Sequence, residues 1–413
     1  MEVCEVKKKF CEYFESKKHK IIPSASLVPE IGDEVLFTTA GMHPLIRYLA
    51  GRPCPYGKRV ANVQKVIRTG MIDCVGEDSF CTFFELLGNW SLGDYHRMDA
   101  IAFAWDFLTS PSYMGIDKEK IAVTCFSKNA LYDECRETYD QWISIGIERN
   151  RIWESSLNWK GPYSEYHLCG PNTKIFYDTG AQKCSDKCSP LCKCGKYVEI
   201  WDIVFLDYCL SGDKLIDLPH KNVDTGMGVE RLSAITEGVN SVYETGIFVK
   251  IIEFIKAIPG IDYTRIEEKS IRIIADHIRC IIFVLGDNER VLPASNGRGY
   301  VLRKIIRRVL NISYKISLNK QGILRIAQYI IDIYGDEYPE LCANKGHVFE
   351  TLSEEIDKYG VVIDKGIKQL KKITEKESTY ISKKCLDKFR ETYGLPYEII
   401  ESVIEQSGLI MIN

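Results

Sequence analysis

The apolar pattern of this chain changes character once, near Gly246, and that change constrains the fold more than any other feature. Before it, short apolar runs alternate with glycine and proline. After it, as far as Asn413, Ile- and Lys-rich segments recur at helical spacing with few strand signals. A chain of 413 residues exceeds one ordinary core, so the break reads as a domain boundary between Gly238 and Pro259. We draw it at residues 245 and 246, giving domains 1–245 and 246–413.

In the first part, Val6, Phe10, Tyr13 and Phe14 predict an opening amphipathic helix that Pro23 stops. The runs Val35-Leu36-Phe37, Thr82 to Leu87, Ile121 to Thr124 and Tyr197 to Tyr208 predict strands. Met98 to Leu108 and Asn129 to Ile145 carry helical periodicity between them. Separated strands with inserted helices give an α+β fold. In the second part, Ile271 to Leu285, Gly299 to Leu310 and Phe349 to Ile373 predict packed helices. The net charge of −3 excludes a general basic coat, so RNA would be held by local strips and DNA is not an expected partner. No apolar run approaches a membrane span and the start, Met1 to Lys9, is charged, which reads as soluble and cytoplasmic.

Most of the 16 cysteines are scattered and read as reduced thiols. Cys184, Cys188, Cys192 and Cys194 are the exception, because C-x3-C-x3-C-x-C permits four thiolates around one zinc ion in an insert without a core of its own. The alternative is a loop of free thiols.

Two segments carry chemistry. Val63 to Gly70 reads as a strand ending in Arg68, and Thr82 to Tyr95 as a returning strand with aromatic and acidic groups, Phe84 and Glu85 among them. An arginine fixed on a strand can grip a phosphate with two parallel hydrogen bonds, and a Phe on the next strand offers a face to a purine. In the second segment, Val223 to Leu232, Gly226 and Gly228 allow close backbone approach to a nucleotide, while Arg231 enters a helix.

Arg68 with Thr82 to Tyr95 resembles motif 2 of the class II aminoacyl-tRNA synthetases, and Gly226 to Arg231 resembles motif 3. The wording is similar to the alanyl type of that family at Leu36 to Met42, Phe83 to Asn89, Glu199-Ile200-Trp201, Val223 to Gly228, Arg298 to Arg303 and Tyr393-Gly394-Leu395-Pro396. The resemblance covers nearly the whole chain. It implies an antiparallel sheet flanked by helices, followed by a helical domain that receives the tRNA acceptor stem. It also implies activation of alanine with ATP and Mg²⁺ and transfer to the terminal ribose of tRNA(Ala).

Residue by residue, the resemblance puts Arg68 on the ATP α-phosphate and the substrate carboxylate, Phe84 on adenine, and Arg231 on the γ-phosphate. Gly226 and Gly228 join the ATP site, and Glu85 joins Arg68 and Arg231 in the catalytic set. Asp224 takes the substrate ammonium, with Met42 and Val204 as walls of a pocket sized for a methyl group. Arg303, Lys304, Arg307 and Arg308 form a basic strip for acceptor-stem phosphates, with Asn296 and Glu391 as polar readers. His277, on a packed helix, reads as structural.

The chain departs from the family pattern at several places. The segment after Arg68 is short and lacks a lysine, bulky residues fill Tyr163 to Leu168, Asp202 stands where Asn is usual, and Glu391 stands where Asp is usual. No His-x-x-x-His with downstream Cys and His is present, so a separate editing protein or partner subunit is the expected supplier of that activity. Two rivals stay open: a paralogue that charges a carrier, and a non-catalytic tRNA-binding protein.

Overall fold

The computed structural model describes residues 1–29, 35–128, 136–261, 267–374, 380–393, 395–408 and 410–412. The chain divides into two compact units, Met1–Arg68 with Phe84–Ile247, and Thr69–Phe83 with Phe248–Asn413.

The first unit holds strands β1 (Lys20–Ile21), β2 (Arg59–Ile67), β3 (Phe83–Leu92), β4 (Ile121–Phe126), β5 (Ile152–Ser155), β6 (Trp159–Tyr163), β7 (Leu168–Asp178), β8 (Tyr197–Ser211) and β9 (Lys214–Gly228). Its helices are α1 (Val3–Ser16), α2 (Ile46–Leu49), α3 (Arg97–Thr109), α4 (Arg136–Ser144) and α5 (Val229–Glu237). The strands form one sheet in the order β1-β2-β3-β9-β8-β7-β4-β5, with β6 also on β7. The central pairs β3–β9, β9–β8, β8–β7 and β7–β4 are antiparallel, while β1–β2 and β4–β5 are parallel. An antiparallel centre flanked by helices is the α+β arrangement the sequence suggests.

Strand alternation assigns the two faces. Trp201, Ile203 and Phe205 of β8 point to one side, where they join Val6, Phe10 and Phe14 of α1 and Phe107 of α3 in the main core. Each such large side chain contributes roughly 1.5–3 kcal/mol on burial. The intervening Asp202, Val204 and Leu206 point to the other side. β8 and β9 are joined by Gly212-Asp213, and Gly212 takes φ +58°, a conformation that a two-residue hairpin loop requires and glycine adopts without strain.

Three local expectations are corrected. Val35 to Phe37 is a bend, not a strand: Leu36 is exposed and Phe37 buried, and Thr38 beside them makes single backbone bonds to Leu27 and Ile67 instead of a ladder. α1 ends at Ser16, well before Pro23, because the chain turns there into β1. The helix expected from Asn129 starts at Arg136 among the described residues, with 129–135 outside them.

The second unit is built on α6 (Gly246–Lys256), which begins at the boundary, then α7 (Glu268–Leu285), α8 (Gly297–Lys315), α9 (Lys320–Tyr334), α10 (Pro339–Ala343), α11 (Lys345–Thr374), α12 (Lys383–Tyr393) and α13 (Tyr397–Gln406). A parallel pair of three-residue strands, β10 (Tyr380–Ser382) and β11 (Ile410–Ile412), is an addition the composition did not signal. Ile363 and Leu370 of α11 pack with Leu386, Leu395 and Val403. Gly366 makes that approach possible, since a Cβ there would lie 2.5 Å from Leu395 Cγ. No described helix is long and apolar enough to cross a membrane.

Candidate active site

The register of β3, β9 and β8 brings the chemistry-bearing residues to the sheet face opposite α1. Leu86 pairs with Gly228, Gly226 with Asp202, and Asp224 with Val204, so Phe84, Trp90, Asp224, Gly226, Gly228, Asp202 and Val204 share that face. Arg68, just past β2, joins them. Its Nε donates to the Thr39 carbonyl at 3.0 Å and its guanidinium lies 5.2 Å from the centre of the Phe84 ring.

Arg231, in the first turn of α5, donates to the Glu199 carbonyl at 3.4 Å. Arg68 remains open to solvent, yet lost hydration and then the charge of Arg231 hold its pKa below the usual arginine range. Two guanidinium groups that repel one another across an open face form a site for a polyanion. Glu199 partly offsets their charge. Burial alone would raise its pKa, but Lys174 at 2.8 Å and Arg231 outweigh that and keep it low.

Asp224 is buried, and Trp90 Nε1 donates to its Oδ1 at 2.7 Å. Loss of hydration pushes its pKa up to about 7, and the charge of Asp202 adds to the rise, while the indole N–H and Lys160 oppose it. A carboxylate in this position lacks a full cationic partner and would be stabilised by one. Met42, Val204 and Trp90 belong to one small apolar cluster beside it. The indole ring occupies the room left by Gly41 and Gly88, whose added Cβ atoms would fall 2.7 and 2.0 Å from it. On the opposite face, a hydrogen-bonded chain fixes the strands that carry Trp90 and Asp224: Thr225 Oγ1 donates to Asn89 Oδ1 at 2.7 Å, and Asn89 Nδ2 to the Tyr95 hydroxyl at 2.9 Å.

Glu85 does not belong to the site. Alternation along β3 turns it to the α1 face, where its carboxylate pairs with Lys7 at 2.9 Å in a buried ion pair. Trp159 stacks on Tyr208 with ring centres 6.2 Å apart. The residues that sequence reasoning missed are Trp90 and the partners of Asp202, which it had noted only as a departure from the family pattern. Lys160 pairs with Asp202 at 2.9 Å, and Asn172 donates to the same carboxylate. A period of two counted from Phe84 reaches residues 86, 88 and 90, so the signal for Trp90 was present.

The cysteines lie in the loop between β7 and β8. The sulfur atoms of Cys184, Cys188 and Cys192 fall within 4.8 Å of one another, and Cys194 Sγ is 3.7 Å from Cys188 Sγ. Hydrogen bonds with Cys188 and Cys194 push the Cys184 thiol up to about 11, while the Ser189 and Lys196 backbones hold Cys192 and Cys194 below the usual thiol range. The four donors are of the soft, convergent kind that fits zinc.

The basic strip on α8 is not a free surface. Arg303 and Arg307 both reach Glu355 Oε1, at 3.1 and 3.5 Å, and Glu355 is buried. Arg308 donates to the Ile72 carbonyl and meets His277 Nε2 at 3.3 Å. The i, i+4 pair Arg303 and Arg307 shares a partly exposed face that carries its own counter-charge in Glu355, while Arg308 turns to Ile72 and His277. Lys304 is exposed, as is Asn296 at the start of α8. The Glu391 side chain lies outside the described residues.

A family model of class II (A) tRNA synthetases matches residues 5–412. An alanine–tRNA ligase of Treponema pallidum is 41% identical over 98% of this chain and 68% of its own length. That of Thermotoga maritima is 40% identical over 98% of this chain and 47% of its own length. The solved histidyl-tRNA synthetase of S. aureus aligns at 10% identity and a TM-score of 0.35 over 57% of this chain and 70% of that one, too loose a likeness to carry an argument. The match along almost every residue, over a sheet face with two arginines and a buried aspartate, establishes that this chain belongs to the class II tRNA synthetase family.

Proposed function

We propose that the chain activates alanine with ATP and transfers it to the terminal ribose of tRNA(Ala). The observation that carries this reading is the buried Asp224 carboxylate beside the small cluster of Met42, Val204 and Trp90, on the same face as Arg68 and Arg231. The substrate ammonium pairs with Asp224, its methyl group meets the apolar walls, and its carboxylate is left toward Arg68.

The first step is then a displacement at phosphorus. A carboxylate oxygen of alanine forms a bond to the α-phosphorus, the bond to the bridging oxygen breaks, and pyrophosphate leaves with the electron pair. Arg68 stabilises the charge on the α-phosphate and the carboxylate, Arg231 that on the γ-phosphate, and Phe84 holds adenine. Gly226 and Gly228 keep the backbone close to the nucleotide. Mg²⁺ supplies charge neutralisation between phosphates, and Glu199 offers the hard carboxylate oxygen such an ion takes. In the second step the ribose hydroxyl attacks the alanyl carbonyl and AMP leaves. Positioning and electrostatics account for most of the catalysis.

Alanine charging of tRNA(Ala) is the direct test, since a carrier-charging paralogue would leave the tRNA unacylated. The match of 98% of this chain to an alanine–tRNA ligase favours tRNA as the acceptor. On α8, the exposed Lys304 and Asn296 remain candidates for the acceptor stem, with Arg307 secondary because it is shared with Glu355.

Serine should support pyrophosphate exchange. A pocket that admits a methyl group rejects an added hydroxyl by only about 10²-fold, so exchange kinetics should show serine at roughly that disadvantage in kcat/KM. A serine signal below detection would place an unrecognised polar exclusion in the pocket.

Zinc at Cys184, Cys188, Cys192 and Cys194 completes the reading, in a structural role. Protein purified without added metal should carry about one zinc per chain, and Cys188→Ser should lose it. Metal-free protein with normal stability would leave the cluster as free thiols.

A further inference from the structure

Within the second unit, α7 presents a polar stripe to the segment Thr69–Phe83. Lys269 pairs with Glu77 at 3.5 Å and Arg272 with Asp78 at 3.0 Å. Thr82 donates its backbone N–H to Asp276 Oδ1 at 2.9 Å, and Arg279 donates to the Phe83 carbonyl at 2.6 Å. Residues 269, 272, 276 and 279 recur at three- and four-residue spacing, so a single helix face makes all of these contacts. Gly76, at φ +96°, lies so close that a Cβ would be 2.8 Å from the Lys269 side chain.

At the core of this stripe a buried chain runs from Asp276 through His277 to α8. His277 Nδ1 meets Asp276 Oδ2 at 2.9 Å and the Thr82 hydroxyl at 3.2 Å. Its Nε2 meets Arg308 Nη1 at 3.3 Å, and the same Arg308 nitrogen donates to the Ile72 carbonyl. A guanidinium can only donate, so Nε2 presents its lone pair and the ring proton sits on Nδ1, aimed at Asp276. Arg308 thus holds the start of the segment, and Asp276 with Arg279 holds its end.

The segment is the covalent bridge from Arg68 to Phe84. We propose that Asp276, His277 and Arg308 are positioning residues for adenylate formation, holding this bridge so that Arg68 and Phe84 meet ATP in register. The proposal rests on the alanine-activating reading and assigns Arg308 to the first chemical step, not to a tRNA phosphate. Asp224, Met42 and Val204, which meet the alanine ammonium and methyl group, lie outside the segment, and only the alanine carboxylate meets Arg68, so disturbing the chain should act on ATP more than on alanine.

The test is alanine-dependent ATP–pyrophosphate exchange of the full chain without tRNA, with thermal melting as the folding control. Arg308→Ala should raise the KM for ATP about tenfold or more, the scale expected when a reacting group is misplaced by an ångström or less, while the KM for alanine stays within about twofold. Arg308→Lys should recover much of the loss, and His277→Gln should act in the same direction as Arg308→Ala. If Arg308→Ala fails to fold, His277→Gln decides. Folded variants with the ATP KM of the unaltered protein would overturn the proposal, as would a parallel rise in both KM values together with a lowered melting temperature. Absence of exchange in the unaltered chain with every amino acid would instead strike at the alanine-activating reading.

Discussion

Asp224→Asn should abolish alanine activation without unfolding the protein. The change keeps the shape and the Trp90 contact available but removes the charge that meets the substrate ammonium. Breaking a buried charge pair costs about 3–5 kcal/mol, so kcat/KM for alanine in pyrophosphate exchange should fall about 10²–10⁴-fold. Stability should move the other way. The folded-state pKa of Asp224 is raised from an ordinary 3.8 to about 7. A raised carboxyl favours folding in its neutral form, and that advantage, complete below 3.8, is lost as pH rises to about 7 and is unchanged above it. The empty enzyme therefore bears the cost of a buried charge at pH 8, and the asparagine variant should resist unfolding at least as well there. Activity of the unaltered enzyme has the opposite sign, because alanine binds the ionised form: kcat/KM for alanine should fall about tenfold per pH unit below about 7. A flat profile between pH 5.5 and 8, conditions at which the substrate ammonium is unchanged, would remove Asp224 from the site.

Arg68→Lys should be nearly as damaging, although it conserves charge. The Arg68 guanidinium is set by the Thr39 carbonyl at one edge and lies against Phe84. A lysine has neither the planar fork nor the reach to bridge a phosphate and a carboxylate at once. Removing one such preorganised donor from a developing negative charge typically costs about 10²–10³-fold in kcat. The loss should be measurable at saturating alanine and ATP, with the melting temperature unchanged because the side chain is open to solvent. Exchange within a few-fold of the unaltered enzyme would show that Arg231 or a metal ion carries the charge alone.

What could be read in the sequence was governed by how locally each feature is encoded. α1, α3, α7, α8 and α11 were legible because each has its own apolar period. So were the strands whose apolar residues are consecutive, such as Ile121 to Phe126. β7 was missed because its middle, Gly170-Pro171-Asn172, has no strand propensity and is held by neighbours on both sides. β9 was not read as a strand: its outer half is exposed and polar, with pairing that comes from the Gly212 turn, and its inner half was read only for its glycines.

The candidate site divides in the same way. Arg68, Phe84, Asp224, Gly226 and Arg231 could be named because they sit in long ordered motifs, and the sheet brings them to one face. Glu85 sits in the same motif, but the pleat turns it away to Lys7, a partner 78 residues distant that no local pattern reveals. The surroundings of the α8 arginines were hidden for a related reason: the counter-charge of Arg303 and Arg307, Glu355, comes from α11, and a run of basic residues read alone looks solvated.

The claim that this fold serves alanine activation is tested most directly by ATP–pyrophosphate exchange across a panel of amino acids, each at matched concentration and without tRNA. The highest kcat/KM is expected with alanine, a weaker signal with serine, and nothing measurable with valine, leucine or the charged amino acids. An amino acid larger than serine that outperforms alanine would contradict it, and so would a panel in which no amino acid stimulates exchange.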